Sequence, residues 1–216
     1  MVDWNRVQTI FLDMDGTLLD LHYDNFFWLT HVPLRYAEKN GLPVEHANIL
    51  LTDRYQKVAG TMQWYCVDYW SQELGLDIAE LKSEVAHLIA VHPDVPDFLA
   101  WARNHKKRLV LLTNAHQKSL SIKMQQTRLH DFFDRIMSAH DIGIPKEDHA
   151  FWDKLQLSEL FDPETTLLVD DSLPVLRSAR QYGIQHLLAV YKPDSQQPEK
   201  NVEEFDGIRN FRELMA

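Results

Sequence analysis

Cysteine is nearly absent. Cys66 is the only one in 216 residues, so no internal disulfide can form, and a cysteine-based metal site is excluded with it. One unpaired thiol fits a reducing, cytoplasmic setting. Long apolar runs are missing as well. No stretch free of Asp, Glu, Lys and Arg approaches the ~18 residues a membrane span needs. The opening MVDWNRVQTIFLDMDG has no basic region leading into an apolar one, so no export signal is expected. Positive charge is scarce: 22 Lys and Arg face 32 Asp and Glu, a formal net charge of −10. Nucleic-acid binding calls for a basic face, and neither a Lys/Arg run nor a zinc spacing offers one. If such a chain takes an anionic ligand, it must offset its own field locally, with a metal ion, one or two cations, or helix N-termini.

What is present is an ordinary globular composition, 45% hydrophobic and 25% charged. At about 150 residues per domain, the length suggests one large domain carrying an insertion. Val7 to Leu12 is a short, β-branched apolar run and reads as a buried strand. From Asp24 to about His92 the character changes. Segments near 25–39, 44–58, 63–74 and 77–91 have helical patterns, with Asn40-Gly41, Gly60 and Gly75 as punctuation and no strand signal. From Pro93 onward, expected helices (95–105, 119–129, 147–157, 173–182) alternate with expected strands (108–113, 134–138, 165–169, 185–190). That alternation predicts an α/β parallel sheet covered on both faces. The expected division is a core of residues 1–20 and 93–216 and a helical insertion of 21–92. Residues 193–204, polar and Pro-containing, read as a solvated tail segment.

Three apolar strands end in polar side chains. The first runs into Asp13-Met14-Asp15-Gly16-Thr17. Side chains at i and i+2 of an extended segment share one side, and the C-terminal ends of parallel strands are where open α/β sheets bind ligands. Two acids so close repel unless a cation lies between them or one is protonated. Such a pair is either a metal and acid/base site or a solvated Asp-rich turn. The second strand ends in Thr113-Asn114, which is either an anion cradle or the cap of the next helix. The third ends in Asp170-Asp171-Ser172, adjacent acids that are costly to bury unless something binds them. Between them, Pro145-Lys146-Glu147 opens an expected helix and offers a cation to offset the acids.

The order of these motifs, at 13, 113, 146 and 170, resembles the haloacid dehalogenase superfamily of phosphohydrolases along the whole chain. The resemblance implies a three-layer, Rossmann-like parallel sheet with an inserted helical cap. It implies an aspartate nucleophile at Asp13, an acid/base at Asp15, phosphate contacts from Thr113, Asn114 and Lys146, and Mg²⁺ on Asp13, the Asp15 carbonyl and the acids of the last motif. Asp171 is implied as the direct metal ligand and Asp170 as the outer-sphere one. The acid at Asp15 separates phosphatases from the dehalogenases, which lack it, but not from phosphomutases.

The insertion is rich in aromatic residues: Tyr23, Phe26, Phe27, Trp28, Trp64, Tyr65, Tyr69 and Trp70. On a 64–74 helix, Val67, Trp70 and Leu74 share one face and Tyr65, Asp68, Tyr69 and Gln72 another. Such rings either fill a core or stack on a base, which is worth about 1–3 kcal/mol. The strings Leu19-Asp20-Leu21-His22-Tyr23-Asp24-Asn25-Phe26-Phe27-Trp28, Trp64 to Trp70, and Leu112 to His116 are similar to those of the enterobacterial GMP/IMP 5′-nucleotidases of that superfamily. This implies hydrolysis of a purine 5′-monophosphate, with Asp24, Asn25, Tyr65 and Tyr69 as candidate substrate contacts. A small sugar-phosphate or phosphoglycolate phosphatase, a phosphomutase and a non-catalytic metabolite-binding module are the competing expectations.

Overall fold

The computed structural model describes residues 2–215. Six strands, β1 (Thr9–Leu12), β2 (Arg108–Thr113), β3 (Arg135–Ser138), β4 (Thr166–Val169), β5 (His186–Val190) and β6 (Gly207–Ile208), form one sheet in the order β3-β2-β1-β4-β5-β6. Every pairing is parallel. The strand order reverses beside β1, which pairs with β2 on one side and β4 on the other. That reversal opens a crevice at the strands' C-terminal ends, and the Asp13 and Asp170 motifs leave the sheet on its two sides. The chain is thus an α/β protein with a parallel sheet between helical layers.

Strand residues alternate between two cores, as the period of two requires. Ile10, Leu12, Leu109, Leu111, Leu167 and Val169 enter one; Phe11, Val110, Leu112 and Leu168 enter the other. Helices α10 (Ala150–Ser158) and α11 (Leu173–Tyr182) cover the second face with Phe151, Trp152, Leu155, Val175 and Leu176. The first face is covered by α7 (Val95–Asn104) and α8 (Gln117–Thr127). Its core continues into the helices between β1 and α7: α1 (His22–Phe26), α2 (Val32–Asn40), α3 (Val44–Val58), α4 (Met62–Tyr65), α5 (Val67–Leu74) and α6 (Ile78–Glu84).

Several local expectations are corrected. The helix expected near 25–39 starts at His22 and widens into a π-turn over Phe27–His31, just before Pro33, whose ring nitrogen cannot donate to the preceding turn. The helix expected over 63–74 breaks at Cys66, which is extended (φ −84°, ψ 110°) and caps α5. Lys146 opens no helix: α10 starts only at Ala150, and Lys146 lies in the turn before it, after the short helix α9 (Ala139–Ile142). Residues 193–204 are not a free tail. Asp194 and Val202 are buried, the Leu21 N–H donates to the Pro193 carbonyl, and the Ser195 N–H donates to Asp20. The strand β6 that follows is too short to leave a sequence pattern.

Trp70 is fully buried, and its indole N–H donates to the Trp64 carbonyl at 2.9 Å. Trp70→Ala should cost about 3–5 kcal/mol. Because one core runs from the insertion to the sheet, unfolding should remain a single transition. Urea denaturation followed by circular dichroism and by fluorescence of the remaining tryptophans checks both; separate transitions would refute the shared core.

Candidate active site

The crevice beside β1 holds a cavity of about 380 Å³, within the usual size range of small-molecule sites. Asp13, Asp15, Thr113, Asn114, Lys146, Asp170 and Asp171 line one end of it, while Asn25, Trp28, Tyr55, Trp64, Tyr65 and Val67 line the insertion's side.

Backbone bonds aim the acids. The Asp13 N–H donates to the Val169 carbonyl, extending the β1–β4 pairing by one residue. The Asp171 N–H donates to the Thr17 hydroxyl at 3.1 Å, and the Ser172 N–H to Asp170 at 2.8 Å. Gly16 has φ +87°, and a Cβ there would lie 2.8 Å from the Asp171 carboxyl carbon. Only glycine lets the first loop pass this close to the last one.

Lysines hold the charge. Lys146 Nζ donates to Asp13 at 2.6 Å, to Asp170 at 2.7 Å and to the Leu112 carbonyl at 3.0 Å. Lys123 Nζ bridges Asp15 and Asp24, 2.6 Å from each. Lys82 donates to the other Asp24 oxygen at 3.0 Å and lies 4.4 Å from the centre of the Phe27 ring. Lys200, from the segment expected to be a tail, donates to the Asp171 carbonyl and lies 3.4 Å from its carboxylate. Five carboxyl groups (Asp13, Asp15, Asp24, Asp170, Asp171) therefore meet four ammonium groups (Lys82, Lys123, Lys146, Lys200). Sequence reading found only Lys146. Lys82 and Lys123 sit in helices where nothing distinguishes them from surface lysines.

Burial pushes Asp13 up to about 6; Lys146 restrains the rise and Asp170 adds to it. Burial likewise lifts Asp15 to about 6 against Lys123, and burial plus Asp13 lifts Asp171 to about 6 against Lys200. Burial raises Asp170 also. Asp24 goes the other way. Burial alone would raise it, but Lys123 and Lys82 pull it down to about 2.

The other expected site residues divide. Thr113 is buried and its hydroxyl accepts from the Ala115 N–H. The Asn114 side chain is committed within the protein: its Oδ1 accepts from the Lys146 N–H and its Nδ2 donates to Glu147. Tyr65, turned by the break at Cys66, lines the cavity and donates to Glu147 at 2.7 Å. Tyr69 does not line it; its ring packs edge-on against Trp70. Asp24 lines the cavity, and each of its oxygens accepts from a lysine, Oδ1 from Lys82 and Oδ2 from Lys123, so it also anchors Lys123. Asn25 lines the cavity, with Nδ2 donating to Asp194 at 2.7 Å.

A family model for haloacid dehalogenase-like hydrolases matches residues 7–183. The chain belongs to the haloacid dehalogenase-like hydrolase family. It is 38% identical to the GMP/IMP nucleotidase YrfG of Escherichia coli (strain K12), over 99% of this chain and 96% of that protein. A phosphoglycolate phosphatase of Pseudomonas putida is 25% identical over 84% of this chain and 69% of its own length. Among solved structures, a haloacid dehalogenase-type phosphatase from Thermococcus onnurineus superposes with a TM-score of 0.78 at 21% identity, covering 96% of both chains. Within this family the protein is a phosphoric monoester hydrolase. Among the described residues, no helix is long and apolar enough to cross a membrane.

Hydrolases of the family generally use a divalent metal, and the residues here fit one. Asp13, Asp170 and Asp171 each bring a carboxylate oxygen to within 4.8 Å of the others. An all-oxygen, anionic donor set suits a hard divalent cation. The sign of the pH effect follows from the raised acids. Between about pH 4 and 6 the folded chain holds protons on Asp13, Asp15 and Asp171 that the unfolded chain has released, so these groups cost stability as pH rises through that window. Asp24, lowered instead, gives stability that is lost only on acidification below the ordinary carboxyl range. A divalent cation should therefore raise Tm more at about pH 7.5 than at about pH 5, where protons compete for the same oxygens. Thermal melts with and without the ion check this; an equal shift at both pH values would contradict it.

Proposed function

We propose that the chain hydrolyses purine nucleoside 5′-monophosphates, GMP and IMP in particular, to nucleoside and phosphate, with Mg²⁺ as the resident metal. One observation carries this: a single cavity is lined both by the Asp–Lys cluster and by the aromatic side chains of Trp28, Tyr55, Trp64 and Tyr65. Phosphate chemistry and a flat, stackable ligand are thereby combined in one chamber. The 38% identity to a protein named a GMP/IMP nucleotidase supports the same choice.

In this reading the helices between β1 and α7 are the cap, and Asp13 is the nucleophile. An Asp13 oxygen attacks phosphorus in line, and the bond from phosphorus to the ribose 5′-oxygen breaks. Asp15 gives that oxygen its proton, then takes one from the water that hydrolyses the aspartyl-phosphate and restores the Asp13 carboxylate. A group lifted to about 6 can do both near neutral pH. Lys146 stands 2.6 Å from Asp13 and offsets charge on the transferring phosphoryl group. Asn114 fixes Lys146 through its N–H, and the Thr113 loop offers polar groups to the phosphoryl oxygens. Bound at Asp13, the Asp15 carbonyl and Asp171, with Asp170 in the outer sphere, Mg²⁺ would supply charge neutralisation at phosphorus.

Base choice falls to Asn25. A carboxylate partner identifies its Nδ2, so Oδ1 is left as an acceptor. Guanine and hypoxanthine carry an N1–H donor; adenine presents a lone pair there. An unpaired buried acceptor costs about 1–3 kcal/mol, or about one to two decades in kcat/KM.

Asp13→Asn should abolish turnover with the fold intact. Asp15→Asn should lose about 10²–10⁴-fold per proton transfer while still binding metal. Phosphate release paired with circular dichroism measures both, and a fast Asp13→Asn enzyme would overturn the nucleophile assignment. Substrate choice is tested by kcat/KM for GMP, IMP, AMP, UMP, phosphoglycolate and glucose 6-phosphate under one Mg²⁺ condition. GMP and IMP should lead AMP by about one to two decades, and all three should lead phosphoglycolate. If phosphoglycolate or glucose 6-phosphate beats GMP, the nucleotidase reading is wrong and the general phosphatase remains.

A further inference from the structure

The expectation that one cysteine excludes a cysteine-based metal site counts cysteines alone; in space, Cys66 is joined by two histidines. Cys66, at the break between α4 and α5, meets His116, the N-cap of α8, and His140, in α9 after β3. One ligand atom from each, Sγ and a ring nitrogen of both histidines, falls within 4.8 Å of the other two. The two imidazoles stand nearly perpendicular with ring centres 4.8 Å apart. His140 Nε2 is buried and has no hydrogen-bond partner. In the tautomer that carries its proton on Nδ1, the Nε2 lone pair is bare. A buried, bare acceptor is costly unless something fills it. Asp68, on α5, lies 3.7 Å from His116 Nε2.

We propose that Cys66, His116 and His140 form a second metal site, for a thiophilic divalent ion of the Zn²⁺ type, with Asp68 at hand as a fourth ligand. Sulfur and imidazole donors select such an ion over Mg²⁺, just as the oxygen-only Asp13 cluster selects the reverse. Binding turns the Cys66 thiol into a metal thiolate and releases its proton to solvent. Cys66 and Asp68 come from the helices between β1 and α7, and His116 and His140 from the segments that follow β2 and β3. His116 also lines the cavity. An ion here pins the insertion to the sheet at the cavity wall.

The site is tested with the full-length, metal-free protein and Co²⁺ as probe, in excess Mg²⁺. The expected result is a thiolate-to-cobalt charge-transfer band in the near ultraviolet and intense tetrahedral visible bands, saturating at one equivalent and removed by Zn²⁺. Oxygen ligands give no thiolate band, so Co²⁺ in the Asp13 cluster is silent in this readout. Cys66→Ser should abolish the band. His140→Gln should keep the fold by circular dichroism yet weaken Co²⁺ binding by more than the ~10–100-fold cost of losing an outer-shell partner. No charge-transfer band in the wild type, or one unchanged in His140→Gln, would overturn the site. Neither outcome depends on which nucleotide the enzyme prefers.

Discussion

Five buried or half-buried carboxyl groups gathered in one crevice are the constraint on which the rest of this structure depends. Each desolvated ion costs several kcal/mol unless it is paired and hydrogen-bonded. The pairing comes from four lysines that arrive on four different segments: α6, α8, the turn before α10 and the stretch between β5 and β6. Assembling the site therefore requires the insertion, the sheet and the C-terminal segment to be in register together. The offset is incomplete. Asp13, Asp15 and Asp171 remain lifted to about 6, chiefly by burial and further by their acidic neighbours, and a cation placed among them would relieve both.

The insertion enters this arrangement through charge as well as through apolar packing. Asp24 on α1 reaches Asp15 by way of Lys123, and Tyr65 on α4 reaches Asn114 by way of Glu147. Displacing α1 or α4 would break these links and expose Lys123, which is almost fully buried. The aromatic wall is fixed in turn by edge-to-face packing of Tyr55 on Trp28, Trp64 and Trp70. This packing holds the cavity-lining rings of Trp28, Tyr55 and Trp64 in fixed orientations.

Most of the sheet was legible because strand signals are local. Apolar runs of β-branched and leucine residues, each closed by a polar pair, mark β1, β2 and β4, and their alternation with helical stretches marks them as parallel. The same locality made the acids of motifs at 13 and 170 visible. The family assignment rested on order and spacing, which survive in one dimension. What failed did so where a neighbour distant in sequence decides the outcome. Tyr69 shares a helical face with Asp68 on paper, but the kink at Cys66 sends Tyr65 toward the cavity and leaves Tyr69 against Trp70. Residues 193–204 have a solvated composition, yet Asp194 and Lys200 are drawn in by Asn25 and Asp171.

By itself, the sequence determined the parallel α/β architecture, the helical insertion after the first strand, and the acidic residues that end the strands. These follow from periodicity, turn chemistry and the cost of placing carboxylates beside apolar runs. Only the tertiary structure decided which cations answer those acids, that Asp24 and Asn114 act within the protein's own network, and that a solitary cysteine meets two histidines. Charge pairing and metal-ligand geometry act through space over a few ångströms, between residues such as Asp13 and Lys146 that lie 133 positions apart, and leave no trace in the local pattern of the chain.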